Sequence, residues 1–204
     1  MSTTASKCKS VNEKAGNRKA VIKEWVESIV VAFVLAMIIR AFVVQAFKIP
    51  TGSMRPTLLE GDVILVNKFL YGAKIPFTDF RLPKVRLPQR GDVVVFIYPE
   101  NPKKDFIKRL VGLPGDTVEI KSGTLYINDK PLLDSTFSQR YYYNRGPFAQ
   151  EGQKTVVPQG HYFVLGDNSA SSQDGRYWGF VPFKNMLGKA LVIYWPPQRI
   201  RIIK

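Results

Sequence analysis

Cysteine and histidine are almost missing from this chain: 204 residues hold one of each, Cys8 and His161. No internal disulfide can form, a metal site rich in imidazole or thiolate lacks ligands, and a Ser-His-Asp triad would have to use His161. Neither a metal nor a cofactor is expected, and any acid–base chemistry must proceed mostly without imidazole. Beyond residue 50 no convincing helical periodicity persists over 12 residues, and no internal repeat or low-complexity tract is visible. Acidic residues are also scarce, 16 Asp and Glu against 30 Lys and Arg, which leaves a formal charge of +14.

Such a surplus suits nucleic acid, a membrane surface or an acidic substrate, and its distribution discriminates among them. Residues 1–24 carry Lys7, Lys9, Lys14, Arg18, Lys19 and Lys23 against Glu13 and Glu24 without apolar periodicity, and read as a basic tail. Next come Trp25-Val26-Glu27-Ser28, an unbroken apolar run from Ile29 to Ile39, Arg40, and Ala41 to Val44. The 20 residues from Trp25 to Val44 would span ~30 Å as a helix, the thickness of a bilayer core. A cleaved signal peptide and a buried core helix are the competing readings. Arg40 and the long leader fit the first poorly, and the run is read as an uncleaved transmembrane anchor over 25–47. Six Lys/Arg lie between Lys7 and Glu24 but only Lys48 and Arg55 between Gln45 and Ile64, so the tail is expected in the cytoplasm and residues 48–204 outside. The +10 of that outer part then faces anionic lipid headgroups, and nucleic acid is not expected as a partner. Cys8 falls in the tail, on the reducing side.

Residues 48–204 read as β-rich. Runs heavy in Val, Ile, Phe and Tyr recur between turn signals, at Asp62–Phe69, Asp92–Tyr98, Asp105–Val111, Thr117–Lys121, Thr124–Ile127, His161–Leu165 and Lys189–Trp195. Ser122-Gly123 predicts a tight hairpin and Asn128-Asp129 a further turn. Tyr71–Arg90, with Pro76, Pro83 and Pro88, predicts an extended excursion, and 132–153 a small irregular insertion.

Three blocks carry chemistry. The first, Ile49-Pro50-Thr51-Gly52-Ser53-Met54-Arg55-Pro56-Thr57-Leu58, would hold Ser53 in a fixed geometry, with a glycine before it and prolines stiffening the flanks. It also fits an ordinary juxtamembrane turn. A serine nucleophile needs a base, and with histidine so rare the candidate is a lysine, whose amine must be desolvated to be neutral near pH 7. The second block runs from Asp105-Phe106-Ile107-Lys108-Arg109 to Gly115-Asp116. Strand alternation sends Lys108 and Arg109 to opposite faces, so one can meet an apolar interior while the other stays in water or pairs with an acid. An edge-strand Lys-Arg pair is the bland alternative. The third, Gly166-Asp167-Asn168-Ser169-Ala170-Ser171-Ser172-Gln173-Asp174-Gly175-Arg176, fits a turn cluster with an Asp–Arg pair.

In this order behind one apolar segment, and with Gly91-Asp92-Val-Val-Val-Phe96 between the first two, these blocks resemble type I signal peptidase, the membrane-bound Ser/Lys endopeptidase of bacteria. The resemblance covers nearly all of Trp25–Trp195. It implies a mainly β fold: a single N-terminal transmembrane helix followed by an antiparallel β-rich catalytic domain with a small cap insertion. Ser53 would be the acylating nucleophile and Lys108 the general base. Thr51 would join the Ser53 N–H in an oxyanion hole, Ser172 would orient the lysine amine, and Asp174 and Arg176 would buttress the site with Arg109 as neighbour. Gly175 and Ser169 depart from the commoner Ser and Arg of the family.

The implied substrates are membrane-inserted preproteins whose signal peptides end in small residues of the Ala-x-Ala type, cut at the outer face of the cytoplasmic membrane. Shallow pockets for them would be lined by Phe47, Ile49, Met54, Leu58, Phe106 and Ile107, for which plain core packing is the alternative. A dedicated maturation peptidase for one exported or pilus protein, or a tethered non-catalytic β domain that binds partners, are the rival functions. A penicillin-binding reading fails, because the Ser-x-x-Lys spacing falls at Ser6 and Lys9 in the tail with no accompanying element.

Overall fold

The computed structural model describes residues 22–37, 39–40, 43–74, 78 and 80–203. The basic tail up to residue 21, with Cys8, lies outside the described residues. The chain divides into Met1–Arg40 and Ala41–Lys204. In the first unit residues 22–37 and 39–40 are helical, and Trp25, Ile29, Val31, Phe33 and Leu35 are all exposed. Among the described residues no helix is long and apolar enough to cross a membrane.

The second unit is mainly antiparallel β, as expected. Its strands are β1 (Val44–Lys48), β2 (Val63–Asn67), β3 (Val93–Ile97), β4 (Asp105–Gly112), β5 (Thr117–Lys121), β6 (Thr124–Ile127), β7 (Lys130–Pro131), β8 (Thr155–Val156), β9 (His161–Leu165), β10 (Phe180–Pro182), β11 (Met186–Trp195) and β12 (Arg201–Ile202). One sheet has the order β1-β2-β11-β3-β4-β9-β10 with β12 on β11, and a four-stranded sheet has the order β7-β6-β5-β8. β1 corrects the anchor boundary at 47. Val44 to Lys48 pair residue for residue with Asn67 to Val63 of β2, and Phe47 packs on the core below. Polar Gln45 and Lys48 interrupt the apolar run there, so the chain gains more from a half-buried ladder than from continuing as a helix.

Both faces of the large sheet are covered. In β3, Val93 and Val95 point into a core with Ile49, Met54, Leu58, Ile64 and Val66. Val94 and Phe96 point into another with Tyr71, Leu110, Val164 and Met186. This is why β3 reads as a continuous apolar run without alternation. A third core joins β4 and β9 to the small sheet through Val111, Val118, Ile120, Phe163 and Leu165, and takes Phe137, Tyr142 and Ala149 from the 132–153 insertion. The insertion itself is irregular apart from one helical turn, Ser135–Ser138, capped by Asp134. Both predicted turns follow the hairpin geometry that matches strand twist: Ser122 and Gly123 have φ of 47° and 80°, and Asn128 and Asp129 of 51° and 64°.

Candidate active site

Ser53 sits in a single 3-10 turn, Gly52–Met54, just after β1, and is buried. Lys108 comes from β4. On that strand it shares a face with Phe106 and Leu110 and lies opposite Val94 of β3, and it is only 4% exposed. The two side chains meet: Lys108 Nζ is 2.6 Å from Ser53 Oγ. Its amine is also 5.5 Å from the centre of the Phe106 ring. Burial pushes the Lys108 pKa down to about 8, against an upward pull from Asp174 and Asp167 and with a smaller downward one from Arg176. At pH 7 about a tenth of such amines would be neutral, against well under a thousandth for an ordinary lysine.

The segment 166–176 holds the serine turn in place. Asn168 donates its backbone N–H to Ser53 O at 3.0 Å and its side-chain amide to Gly52 O at 3.2 Å. Asp174 and Arg176, both completely buried, form a two-pronged pair at 2.8 and 2.9 Å. Asp174 also accepts from Gly166 N, and Arg176 donates to Ser169 O and Tyr143 O. The two departures from the family pattern fit this packing. Ser169 Oγ accepts from Arg176 and from the Tyr143 N–H. A Cβ on Gly175 would come within 2.9 Å of Phe163 Cε2 and Val164 O.

Arg109 points away from Lys108, as alternation requires, and its guanidinium pairs with Asp167 of the same 166–176 segment. Arg109 Nε and Nη2 donate to the two Asp167 oxygens at 2.8 and 2.7 Å. Arg140 from the insertion adds a second guanidinium to Asp167 at 3.2 Å, and Thr57 donates to it at 2.5 Å. Asp167 stands in the third sequence block, whereas nothing in the sequence links Arg140 to it across 27 residues.

Ser172 is buried next to Gly166, but its Oγ makes no hydrogen bond with any described residue, so the expected bond to the lysine amine is not formed in this state. Thr51 is exposed at the rim of a cleft of about 370 Å³ lined by Pro50, Thr51, Gly52, Ser53, Asp105, Phe106, Ile107, Lys108, Ser171 and Gln173. Of the six expected pocket residues, Phe106 and Ile107 line it. Ile49, Met54 and Leu58 are buried in the core and Phe47 packs beside them, because the turn after β1 folds its apolar side chains under the sheet. The wall at residues 105–108 has a particular property. β4 pairs with β3 along Asp105–Arg109 but with β9 only from Arg109 onward, so among the described residues no strand occupies its other edge beside Lys108, and that edge is open. Among the described residues no three His, Cys, Asp or Glu side chains come together to hold a metal ion.

A buried serine and lysine in contact beside a strand edge suit acyl transfer from a polypeptide to the serine hydroxyl. The family described as signal peptidase, peptidase S26, matches residues 22–195. The chain belongs to this signal peptidase family. Signal peptidase I of Pseudomonas fluorescens is 37% identical over 218 residues, which cover 90% of this chain and 77% of that protein. Signal peptidase I of Pseudomonas aeruginosa is 36% identical with the same coverage. A crystal structure of a signal peptidase I from Enterococcus faecalis, 37% identical, matches 52% of this chain and 98% of its own with a TM-score of 0.40. The chain is therefore an enzyme of the signal peptidase family, a peptidase that removes signal peptides from the preproteins that bear them.

Proposed function

We propose that this signal peptidase cleaves with a Ser53/Lys108 dyad. The observation that carries the reading is the 2.6 Å approach of the buried Lys108 amine to Ser53 Oγ. Neutral Lys108 takes the hydroxyl proton as Ser53 Oγ attacks the scissile carbonyl. The tetrahedral oxyanion is met by the Ser53 N–H and the Thr51 hydroxyl, and the proton passes to the leaving amine as the acyl-enzyme forms. Lys108 then removes a proton from water, which attacks the ester and restores the serine. The unpartnered Ser172 hydroxyl turns to accept from the Lys108 amine when substrate displaces water. Arg109, Asp174 and Arg176 act by holding β4 and the 166–176 segment in register.

The substrate enters as an extended strand on the open edge of β4, with main-chain hydrogen bonds to residues 105–108 and small side chains before the cut, of the Ala-x-Ala kind, against Phe106 and Ile107. Residues 25–43 serve as a single membrane anchor with the basic tail 1–24 in the cytoplasm and the β unit outside, against the anionic bilayer of a bacterial cytoplasmic membrane. The apolar run Ile29–Ile39 and the charge asymmetry around it support this topology. Nine residues from Val44 to Ser53 reach at most ~30 Å, which keeps the nucleophile close to a substrate still lodged in the bilayer.

The test is cleavage of a preprotein by the full-length chain in detergent. Ser53→Ala and Lys108→Met should each lower kcat/KM by about 10³-fold or more while retaining the wild-type circular dichroism. Wild-type-like cleavage by either variant refutes the dyad.

A further inference from the structure

Asp105, the first residue of β4, lines the cleft and is its one acidic side chain, on a chain whose formal charge is +14. No ion pair to Asp105 is found among the described residues, although Asp62, Asp92, Asp116, Asp167 and Asp174 each hold a cationic side chain within ion-pair distance. Lys68 is close enough for the two charges to influence each other. Its ammonium, however, donates to Gln45 Oε1 at 3.1 Å. Gln45 lies on β1, near the start of the strand that leads to Ser53. The cleft thus holds Asp105 together with Ser53 and Lys108 in one lining, while Lys68 and Gln45 lie outside that lining.

We propose that Asp105 is a specificity-determining residue that favours a basic over an acidic side chain on the signal peptide a few residues before the cut. The inference rests on the reading of the cleft as the substrate site. Asp105 is three strand positions from Lys108, about 10 Å along β4. A substrate strand on the open edge with its scissile carbonyl at Ser53 therefore brings its fourth or fifth residue before the cut, beyond the two small ones, near the carboxylate. Lys68 is held at Gln45, so the carboxylate keeps its capacity to attract a substrate ammonium or guanidinium and to repel a carboxylate. Asp105 is exposed at the start of β4, so its pull on a substrate charge is modest and is screened by salt.

The test uses the enzyme in detergent and Ala-x-Ala peptides that differ only in carrying Lys, Gln or Glu at the fourth or fifth residue before the scissile bond. At one of these positions kcat/KM should fall in the order Lys, Gln, Glu, by about tenfold from first to last at low salt, and the spread should shrink at 0.5 M salt. Asp105→Asn should collapse the Lys/Glu ratio towards one, and Asp105→Lys should invert it. A wild-type ratio near one at both positions overturns the inference without any variant, as does a ratio that survives in Asp105→Asn. Ser53→Ala is run on the Lys peptide in parallel. Cleavage there refutes the dyad and the reading of the cleft, whereas an inactive Ser53→Ala with an unchanged ratio in Asp105→Asn refutes the role of Asp105 alone.

Discussion

Replacing Lys108 with Met should make the protein more stable at neutral pH even as it removes the amine. Burial holds the Lys108 pKa at about 8 against 10.5 for an ordinary lysine. At about 1.4 kcal/mol per tenfold change in proton affinity, the folded chain carries roughly 3 kcal/mol of disfavoured charge. The hydrogen bond to Ser53 returns about 1 kcal/mol. Met nearly fills the volume of the lysine stem, so the net gain is about 2 kcal/mol, or about 4–8 °C in Tm for a domain of this size. The sign follows from linkage. The folded pKa lies below the unfolded one, so the unfolded chain binds more protons between pH 8 and 10.5. The penalty is complete below about 8 and fades as the pH rises to 10.5. Buried Tyr71 and Tyr142, whose pKa values burial raises, affect wild type and variant alike and drop out of the difference. Calorimetry of both full-length chains in detergent at pH 7 and pH 10.5 measures it. A lower Tm for Lys108→Met at pH 7, or the same difference at both pH values, refutes the reasoning.

The same titration should appear in catalysis: kcat/KM should rise about tenfold per pH unit up to about 8, where half the amine is neutral, and then level. A flat profile from pH 6 to 9 contradicts a lysine base. Arg176→Met leaves Asp174 wholly buried without its cation and should cost about 3–5 kcal/mol in urea unfolding; a loss under about 1 kcal/mol would mean that water reaches Asp174. A Cβ on Gly166 would collide with Ser172 Oγ and come within 2.6 Å of Ser53 O. Gly166→Ala should therefore lower kcat more than it raises KM, and unchanged kcat would show that the serine turn is not held by this contact.

Local pattern made most of the fold legible in the sequence. All seven runs rich in Val, Ile and aromatics are strands, and both two-residue turns are tight hairpins, because those signals act over a few residues. The strands that escaped, β1, β7, β8, β10 and β12, are short or continue another pattern: β7, β8 and β12 have two residues each, β1 continues an apolar run, and β10 ends on Pro182. The meeting of Ser53 and Lys108 was expected from the family resemblance, whereas alternation on β4 separated Lys108 from Arg109 without saying which of them faces the serine. Depth was not legible. Met54 and Leu58 are apolar residues beside Ser53, and nothing local distinguishes a pocket wall from a core. The pairing of Arg109 with Asp167 was hidden for a similar reason. Two acids stood within one block, and only the tertiary path of the 166–176 segment determines which of them the arginine meets.

The open edge of β4 also bears on how many different proteins one such enzyme can serve. Residues 105–108 offer backbone N–H and C=O groups to whatever lies alongside, and every polypeptide presents the same complementary groups whatever its side chains. Under the strand-addition reading, the grip on the substrate is indifferent to sequence, and discrimination is left to exclusion by size at Phe106 and Ile107 and to charge at Asp105. Recognition of that kind tolerates drift in its clients: a new exported protein needs no matching change in the enzyme, only an extended stretch of chain with nothing bulky before the cut.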